Sequence, residues 1–274
     1  MNRFEGFRVG LTGGTSGLGL ALVGELSRRG ARVAFVARHD DAVRRVADAH
    51  RNTHGIVGDV SKKDDIYPIA LQMVGELGGL DVLINNASDL GPVPLRLLAD
   101  TDCEDLERAL ATNLIGPFRL TKAVLGALSA SAREGRGAVV VNISSDAAVN
   151  AYPAWGAYSA SKAALRHMSA IWNEELSAEG IRFLSIDPGD MDTPLHALAV
   201  PDADRSTLKQ PSASALDVLD AIDAALEGAR GSVGEGAREA EGARGSVGEG
   251  VREAEGARGF SRAEPASASR AARS

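Results

Sequence analysis

A single cysteine, Cys103, stands among the 274 residues of this chain. That excludes a framework of internal disulfides and fits a reducing, cytoplasmic compartment. No apolar run approaches the length of a membrane span, so no membrane partner is expected. Met1-Asn2-Arg3-Phe4-Glu5-Gly6 leads straight into an apolar strand pattern, without the stretch that marks a secretory signal. Positive charge is in deficit as well. The net charge is −7, and residues 228–274 carry eight arginines against seven glutamates, so residues 1–227 sum to −8. That balance argues against a nucleic-acid surface. Aromatic residues make up only 4%.

What is present is a regular alternation. Short apolar runs predict strands at Arg8–Thr12, Arg32–Ala37, Gly55–Val57, Leu80–Ile84, Ala138–Ile143 and Arg182–Ile186. Helical patterns fall between them near 18–29, 40–50, 63–77, 103–131 and 157–179, with another over Ala215–Leu226. Continuous apolar strands alternating with helices predict an α/β, doubly wound parallel sheet with helices on both faces. Its ligands should lie at the carboxyl ends of the strands.

The division into segments follows composition. Residues 1–227 read as one catalytic domain. From Gly228, the 14-residue unit Gly-Ala-Arg-Gly-Ser-Val-Gly-Glu-Gly-Ala-Arg-Glu-Ala-Glu recurs almost unchanged from Gly242 and begins a third time at Gly256. Glycine is too frequent there for a steady helix, and few residues could anchor a core. Residues 228–274 are therefore expected to be a disordered tail, with weak helix in the Arg-Glu-Ala-Glu pieces.

The stretch Thr12-Gly13-Gly14-Thr15-Ser16-Gly17-Leu18-Gly19 sits between the first strand and the first helix. Backbone N–H groups and the helix dipole make such a turn a cradle for phosphate. Gly13 permits a tight turn, Gly17 a close approach to a pyrophosphate, and Gly19 close packing of helix on strand. A glycine-rich connection without a ligand is the bland alternative. At the end of the second strand, where an NAD site usually places an acid, the chain has Ala37-Arg38. A guanidinium suits the 2′-phosphate of NADP, so NADP is favoured over NAD. The competing reading is a surface arginine paired with Asp40 or Asp41.

Tyr158 and Lys162 are four residues apart in a helical pattern and share a face. A neighbouring ammonium favours the phenolate, so Tyr158 is expected to titrate below its usual range and to serve as a general acid or base. Ser145 follows the fifth strand and is placed to hydrogen-bond a developing alkoxide. The alternative role of a turn-capping serine suits Ser144 better than Ser145.

Together these motifs resemble the short-chain dehydrogenase/reductase family, in its single-domain Rossmann-like form. The resemblance runs from residue 12 to residue 193 and includes Asp59-Val60, Asn85-Asn86-Ala87, Asn113, and Pro188-Gly189 with Thr193. It implies a catalytic tetrad of Asn113, Ser145, Tyr158 and Lys162. Tyr158 would exchange the proton, Ser145 steady the substrate oxygen, and Lys162 bind the ribose and depress the tyrosine pKa. Asn113 would kink its helix and hold a water. The cofactor would be held by Gly13, Thr15, Ser16, Gly17, Leu18, Gly19 and Arg38. Asp59 would meet the adenine beside Val60, and Asn86 and Ala87 would line the adenosine ribose. Pro188, Gly189, Met191 and Thr193 would frame the nicotinamide. No metal is implied; a small-molecule carbonyl or alcohol substrate and a homo-oligomer are.

The sequence departs from the family pattern in three places. Ser88 stands where the family usually has glycine, Asp146 follows Ser145, and the repeats begin where a seventh and final strand is due. The substrate pocket is expected to draw on Leu90, Asp146, Tyr152, Trp155, Met191 and His196, with Trp155 either a pocket wall or a packed core residue. His196 is expected to be a lid or surface residue. The missing strand keeps open a second reading, a catalytically silent NADP-binding sensor or scaffold.

Overall fold

The structure is a computed structural model that describes residues 3–245, with side chains through residue 229. Six strands form one parallel sheet: β1 (Arg8–Thr12), β2 (Arg32–Ala37), β3 (Thr53–Val57), β4 (Val82–Asn85), β5 (Ala138–Ile143) and β6 (Ile181–Ile186). Their order across the sheet is β3-β2-β1-β4-β5-β6. From β1 the chain runs outward to β2 and β3, then crosses back to β4 on the other side. The order reverses at β1, and a crevice opens there between the carboxyl ends of β1 and β4.

Side chains alternate across the strands and build two cores. Val33, Phe35, Val82, Ile84, Val139 and Val141 face α1 (Gly17–Arg28), α2 (Asp40–Ala49) and α8 (Pro211–Gly245). Ala34, Val36, Leu83 and Val140 face α3 (Lys63–Leu77) and α5 (Gly116–Arg133), while Phe183 meets Trp172 of α6 (Gly156–Leu176). Because the central strands are buried on both faces, they read as unbroken apolar runs.

Two elements differ from the sequence reading. The long helix expected over 103–131 is divided into α4 (Cys103–Leu110), a π turn at Ala111–Ile115 and α5. The turn is where tertiary contacts take hold. Asn113 bonds outward to Asp89, and a Cβ on Gly116 would lie 2.6 Å from the carbonyl of Val60. The last helix does not stop near Leu226. It continues through the first repeat to Gly245, and the compact unit ends at Ala237. The rest of the repeats, residues 246–274, lies outside the described residues. Among the described residues there is no seventh strand, and β6 pairs with β5 alone. No described helix is long and apolar enough to cross a membrane.

The amino-terminal edge of the sheet is closed by a buried charge that the sequence reading did not single out. Asp81, with a side chain 0% exposed, accepts from Arg8 Nη2 at 2.6 Å, Arg136 Nη2 at 2.8 Å and Ser131 Oγ at 2.6 Å. It also accepts from the Arg8 backbone N–H at 2.9 Å. One carboxylate thus ties together the starts of β1, β4 and β5. Burial opposes its charge, but the arginines and Ser131 outweigh that and hold its pKa far below the carboxylate range. A carboxyl depressed on folding contributes stability above its unfolded pKa of about 4 and loses it as pH falls further. Asp81→Asn is expected to cost about 3 kcal/mol in urea unfolding at neutral pH, and to flatten the acid limb below about pH 4. A loss under about 1 kcal/mol, the scale of an exposed pair, would show that solvent already screens the cluster.

Candidate active site

The carboxyl ends of the strands open onto a cleft of about 870 Å³. At one end is the turn after β1. Gly13 (φ +73°) and Gly14 donate their N–H groups to the carbonyl of Val36 at 2.8 and 3.2 Å, which folds the turn back over β2. A Cβ on Gly19 would lie 2.0 Å from the Gly13 carbonyl oxygen, so only glycine lets α1 start so close to the turn. Ser16 caps α1 without a side-chain hydrogen bond, and no acid sits in the helix's first turn. The positive end of the helix dipole is left open to an anion.

Thr12 pins this turn to β4. Its Oγ1 accepts the N–H groups of Asn86 and Ala87, both at 3.0 Å. The Asn86 side chain returns the contact, donating to the carbonyls of Thr12 and Gly13 at 2.9 and 3.2 Å. Thr15, Ser16, Gly17, Leu18, Arg38, Asp59 and Val60 line the same end of the cleft. Asp59 Oδ1 accepts from the backbone and hydroxyl of Ser61 at 3.0 and 2.7 Å. Arg38 is exposed, and no hydrogen bond or ion pair joins it to another of the described residues. Asp40, its competing partner, is taken by Arg44 at 2.6 Å.

Tyr158 and Lys162 stand at the centre of the cleft, on α6. Lys162 is 1% exposed; its Nζ donates to the carbonyl of Ile143 at 2.8 Å and lies 5.5 Å from the Tyr158 ring centroid. Burial alone pushes its pKa down to about 7. Tyr158 departs from expectation. Its pKa is raised, because burial against the phenolate outweighs the Ser88 and Ser145 hydroxyls that favour it. An ammonium this desolvated is itself reluctant to hold charge, so the adjacency of the two groups does not lower the tyrosine.

Ser145, not Ser144, does the capping. Its Oγ accepts from the Ala147 N–H at 3.2 Å and donates to Asp146 Oδ1 at 3.1 Å, while Ser144 Oγ is buried without a partner. Tyr152 OH donates to Asp146 Oδ2 at 2.6 Å. That bond holds the Asp146 carboxyl below its ordinary value. Trp155 packs edge-on against Tyr158 with ring centroids 5.8 Å apart and lines the cleft beside Leu90, so it is a wall.

Pro188, Gly189, Met191 and Thr193 complete the far wall. The Pro188 carbonyl accepts from Ser214 Oγ of α8 at 2.8 Å. Thr193 caps the short α7 (Pro194–Ala199), and its methyl carbon would lie 3.1 Å from a Cβ on Gly17. His196 lines the cleft with its Nδ1 buried and unpartnered. Two of the expected site residues lie behind the cleft surface rather than on it. Gly19 is packed under the turn, and Asn113 is wholly buried, bonded to Asp89 and Ser161. The sequence reading missed Thr12 as a clamp and Asp187 and Asp190 as lining residues. The position of Thr12, at the last residue of β1, was the available signal.

Comparison with known proteins agrees with this fold. An uncharacterized oxidoreductase of Thermotoga maritima is 34% identical over 190 residues, 68% of this chain and 72% of that protein. A short-chain dehydrogenase structure from Shigella flexneri, complexed with NADP, is 26% identical with a TM-score of 0.71, covering 77% of this chain and 89% of that one. The fold also matches a 3-ketoacyl-(acyl-carrier-protein) reductase of Brucella melitensis complexed with NADH, at 23% identity and a TM-score of 0.73 over 79% of this chain and 90% of that one. The chain spans 33% to 72% of the length of the first curated relatives it matches. The short chain dehydrogenase family model matches residues 8–204, and the chain belongs to the short-chain dehydrogenase/reductase family.

Proposed function

We propose that the protein is an NADP-preferring oxidoreductase that transfers a hydride between nicotinamide and a carbonyl or secondary alcohol, with Tyr158 exchanging the proton. The observation that carries this reading is the buried Tyr158 phenol in the cleft, with Ser145 on the same wall and the Lys162 ammonium 5.5 Å from its ring. The site fits a dinucleotide. A glycine turn that a Cβ would fill leads to a helix N-terminus without a side-chain cap, and the Arg38 guanidinium, with no partner among the described residues, lines the cleft just after β2.

Bound there, the nicotinamide supplies the hydride. The protein's residues supply placement and the proton. Gly13 to Leu18 and the α1 N-terminus receive the pyrophosphate; Asp59, Val60, Asn86 and Ala87 receive the adenosine. Arg38 receives the 2′-phosphate. Pro188, Gly189, Met191 and Thr193 frame the nicotinamide, and Lys162 binds its ribose. Asn113 holds the Tyr158 region in place through Asp89 and Ser161. With its pKa raised by burial, the Tyr158 phenol carries its proton at neutral pH, the state required of an acid toward a carbonyl oxygen. Ser145 steadies that oxygen. The substrate end is mostly apolar, built on Leu90, Trp155 and Leu195, with Asp146 and Tyr152 among its polar groups. Residues 1–227 contain all of these groups; the repeats take no part in the proposed chemistry. A cytoplasmic setting and a homo-oligomer are part of the same reading.

Tyr158→Phe is expected to lower NADPH-dependent ketone reduction by roughly 10²- to 10⁴-fold, the range of general acid catalysis, with NADPH affinity kept. Tight NADPH binding with no turnover on any carbonyl by the unaltered protein would favour the silent sensor. Arg38→Ala is expected to weaken NADPH roughly tenfold or more, as loss of a charged hydrogen bond does, and NADH less than about twofold. Equal losses for the two, read by fluorescence titration, would contradict the assignment of Arg38.

A further inference from the structure

Among the described residues β6 is an edge strand, so no further strand supports residues 187–193, which leave its carboxyl end. They are held instead by residues 209–214. The Lys209 N–H donates to the Asp190 carbonyl at 3.0 Å, and the Asp192 N–H donates to the Lys209 carbonyl at 2.9 Å, a parallel bridge centred on Met191. The Met191 side chain packs on the same core as α8. Near the start of α8, Ser214 adds a further tie. Its side chain is wholly buried, and its Oγ donates to the Pro188 carbonyl at 2.8 Å. A serine in a helix commonly bonds backbone nearby. This hydroxyl reaches 26 residues back along the chain.

The peptide between Pro188 and Gly189 is thus held at both of its polar groups. Ser214 takes its carbonyl, and Asp187 Oδ1 accepts its N–H at 2.9 Å. Gly189 has φ +76°, which glycine adopts without strain. A Cβ there would meet nothing within 4 Å, so conformation and not crowding calls for glycine. With both groups engaged, the peptide plane has little freedom to turn, and the chain leaves it toward Met191 in a set direction. The two holds differ in what they anchor to. Asp187 is exposed and belongs to the same turn, so its bond moves with the loop. Ser214 belongs to a helix that carries Ala215, Val218, Leu219 and Ile222 into the core, so its bond ties the peptide to the packed interior.

We propose that Ser214 is a positioning residue for the nicotinamide, whose bond to the Pro188 carbonyl sets the wall of residues 188–193 against which the ring is placed. This rests on the nicotinamide placement proposed above. Ser214 does not line the cleft; it acts through Pro188. Without the hydroxyl the peptide turns more freely, and the loop divides between the arrangement that receives the nicotinamide and others that do not. Apparent affinity then falls with the fraction of molecules in the competent arrangement. The effect is confined to one half of the cofactor. The glycine turn, Arg38 and Asp59 follow β1, β2 and β3, on the other side of the sheet's reversal, and do not depend on this bond.

The test needs no knowledge of the substrate. Titration calorimetry compares NADPH with 2′,5′-ADP, which carries the adenosine and the 2′-phosphate but no nicotinamide, and circular dichroism follows the fold. Ser214→Ala is expected to weaken NADPH about three- to tenfold, the effect of one net hydrogen bond on the loop's equilibrium, and 2′,5′-ADP less than about twofold. Ser214→Cys, which fills the same space with a weak donor, should show the same selective loss and decides the matter if the alanine variant does not fold. Ser212→Ala, at an exposed serine of the same helix, should change neither ligand. Equal losses of the two ligands, or no loss of either, in a folded Ser214 variant overturn the role of Ser214. Unaltered protein that binds NADPH no more tightly than 2′,5′-ADP overturns the nicotinamide placement on which that role rests.

Discussion

The Thr12 hydroxyl takes two backbone N–H groups of β4's carboxyl end, and the rest of the site is hung from that bond pair. The strand order reverses at β1, so the ends of β1 and β4 are neighbours with nothing above them. A crevice there is unavoidable; its width is not. Thr12 and Asn86 close it with four hydrogen bonds of 2.9 to 3.2 Å, each group serving the other's backbone. The glycine turn is thereby fixed relative to the Asn85–Asp89 segment, and that segment relative to Asn113 and α6. The phosphate end and the chemical end of the cleft are two ends of one bonded chain.

The second constraint is electrostatic. Tyr158 and Lys162 are both drawn into low dielectric, and burial works against the charged form of each. The phenol is stabilised as the acid, and the ammonium is pushed down to about 7, near the pH at which it would work. The surrounding hydroxyls and the Ile143 carbonyl offset part of that cost. The polar groups beside Trp155 are arranged in series, with Tyr152 on Asp146 and Asp146 on Ser145, so a change at Tyr152 is passed to the Ser145 hydroxyl.

Much of this was legible in the sequence. The strands of the sheet interior were readable because burial on both faces leaves no polar interruption. The turn at Thr12–Gly19 and the pair at Tyr158 and Lys162 were readable because their spacing fixes which groups share a face or a turn. What was not legible depends on contacts between distant segments. The π turn at Ala111–Ile115 follows from Asn113 reaching Asp89, which no helical periodicity records. The upward shift of Tyr158 follows from how deeply α6 is packed, not from having a lysine four residues on. Ser145 took the capping role expected of Ser144 because the strand ends one residue before Ser144, turning Ser145 toward Ala147. Asp81 looks like any acid at a loop end until Arg8 and Arg136 are brought to it across the sheet.

The central claim is that this cleft carries a hydride directly between nicotinamide and a carbonyl carbon, with the proton coming from Tyr158. It is tested most directly by following deuterium from the 4-position of labelled NADPH during reduction of a ketone panel. The account predicts one deuterium on the new carbinol carbon, delivered from one face of the nicotinamide and not diluted by solvent hydrogen, since the transfer occurs within an aligned, water-poor site. Saturable NADPH binding with no label reaching any product, or label lost to solvent, would contradict it.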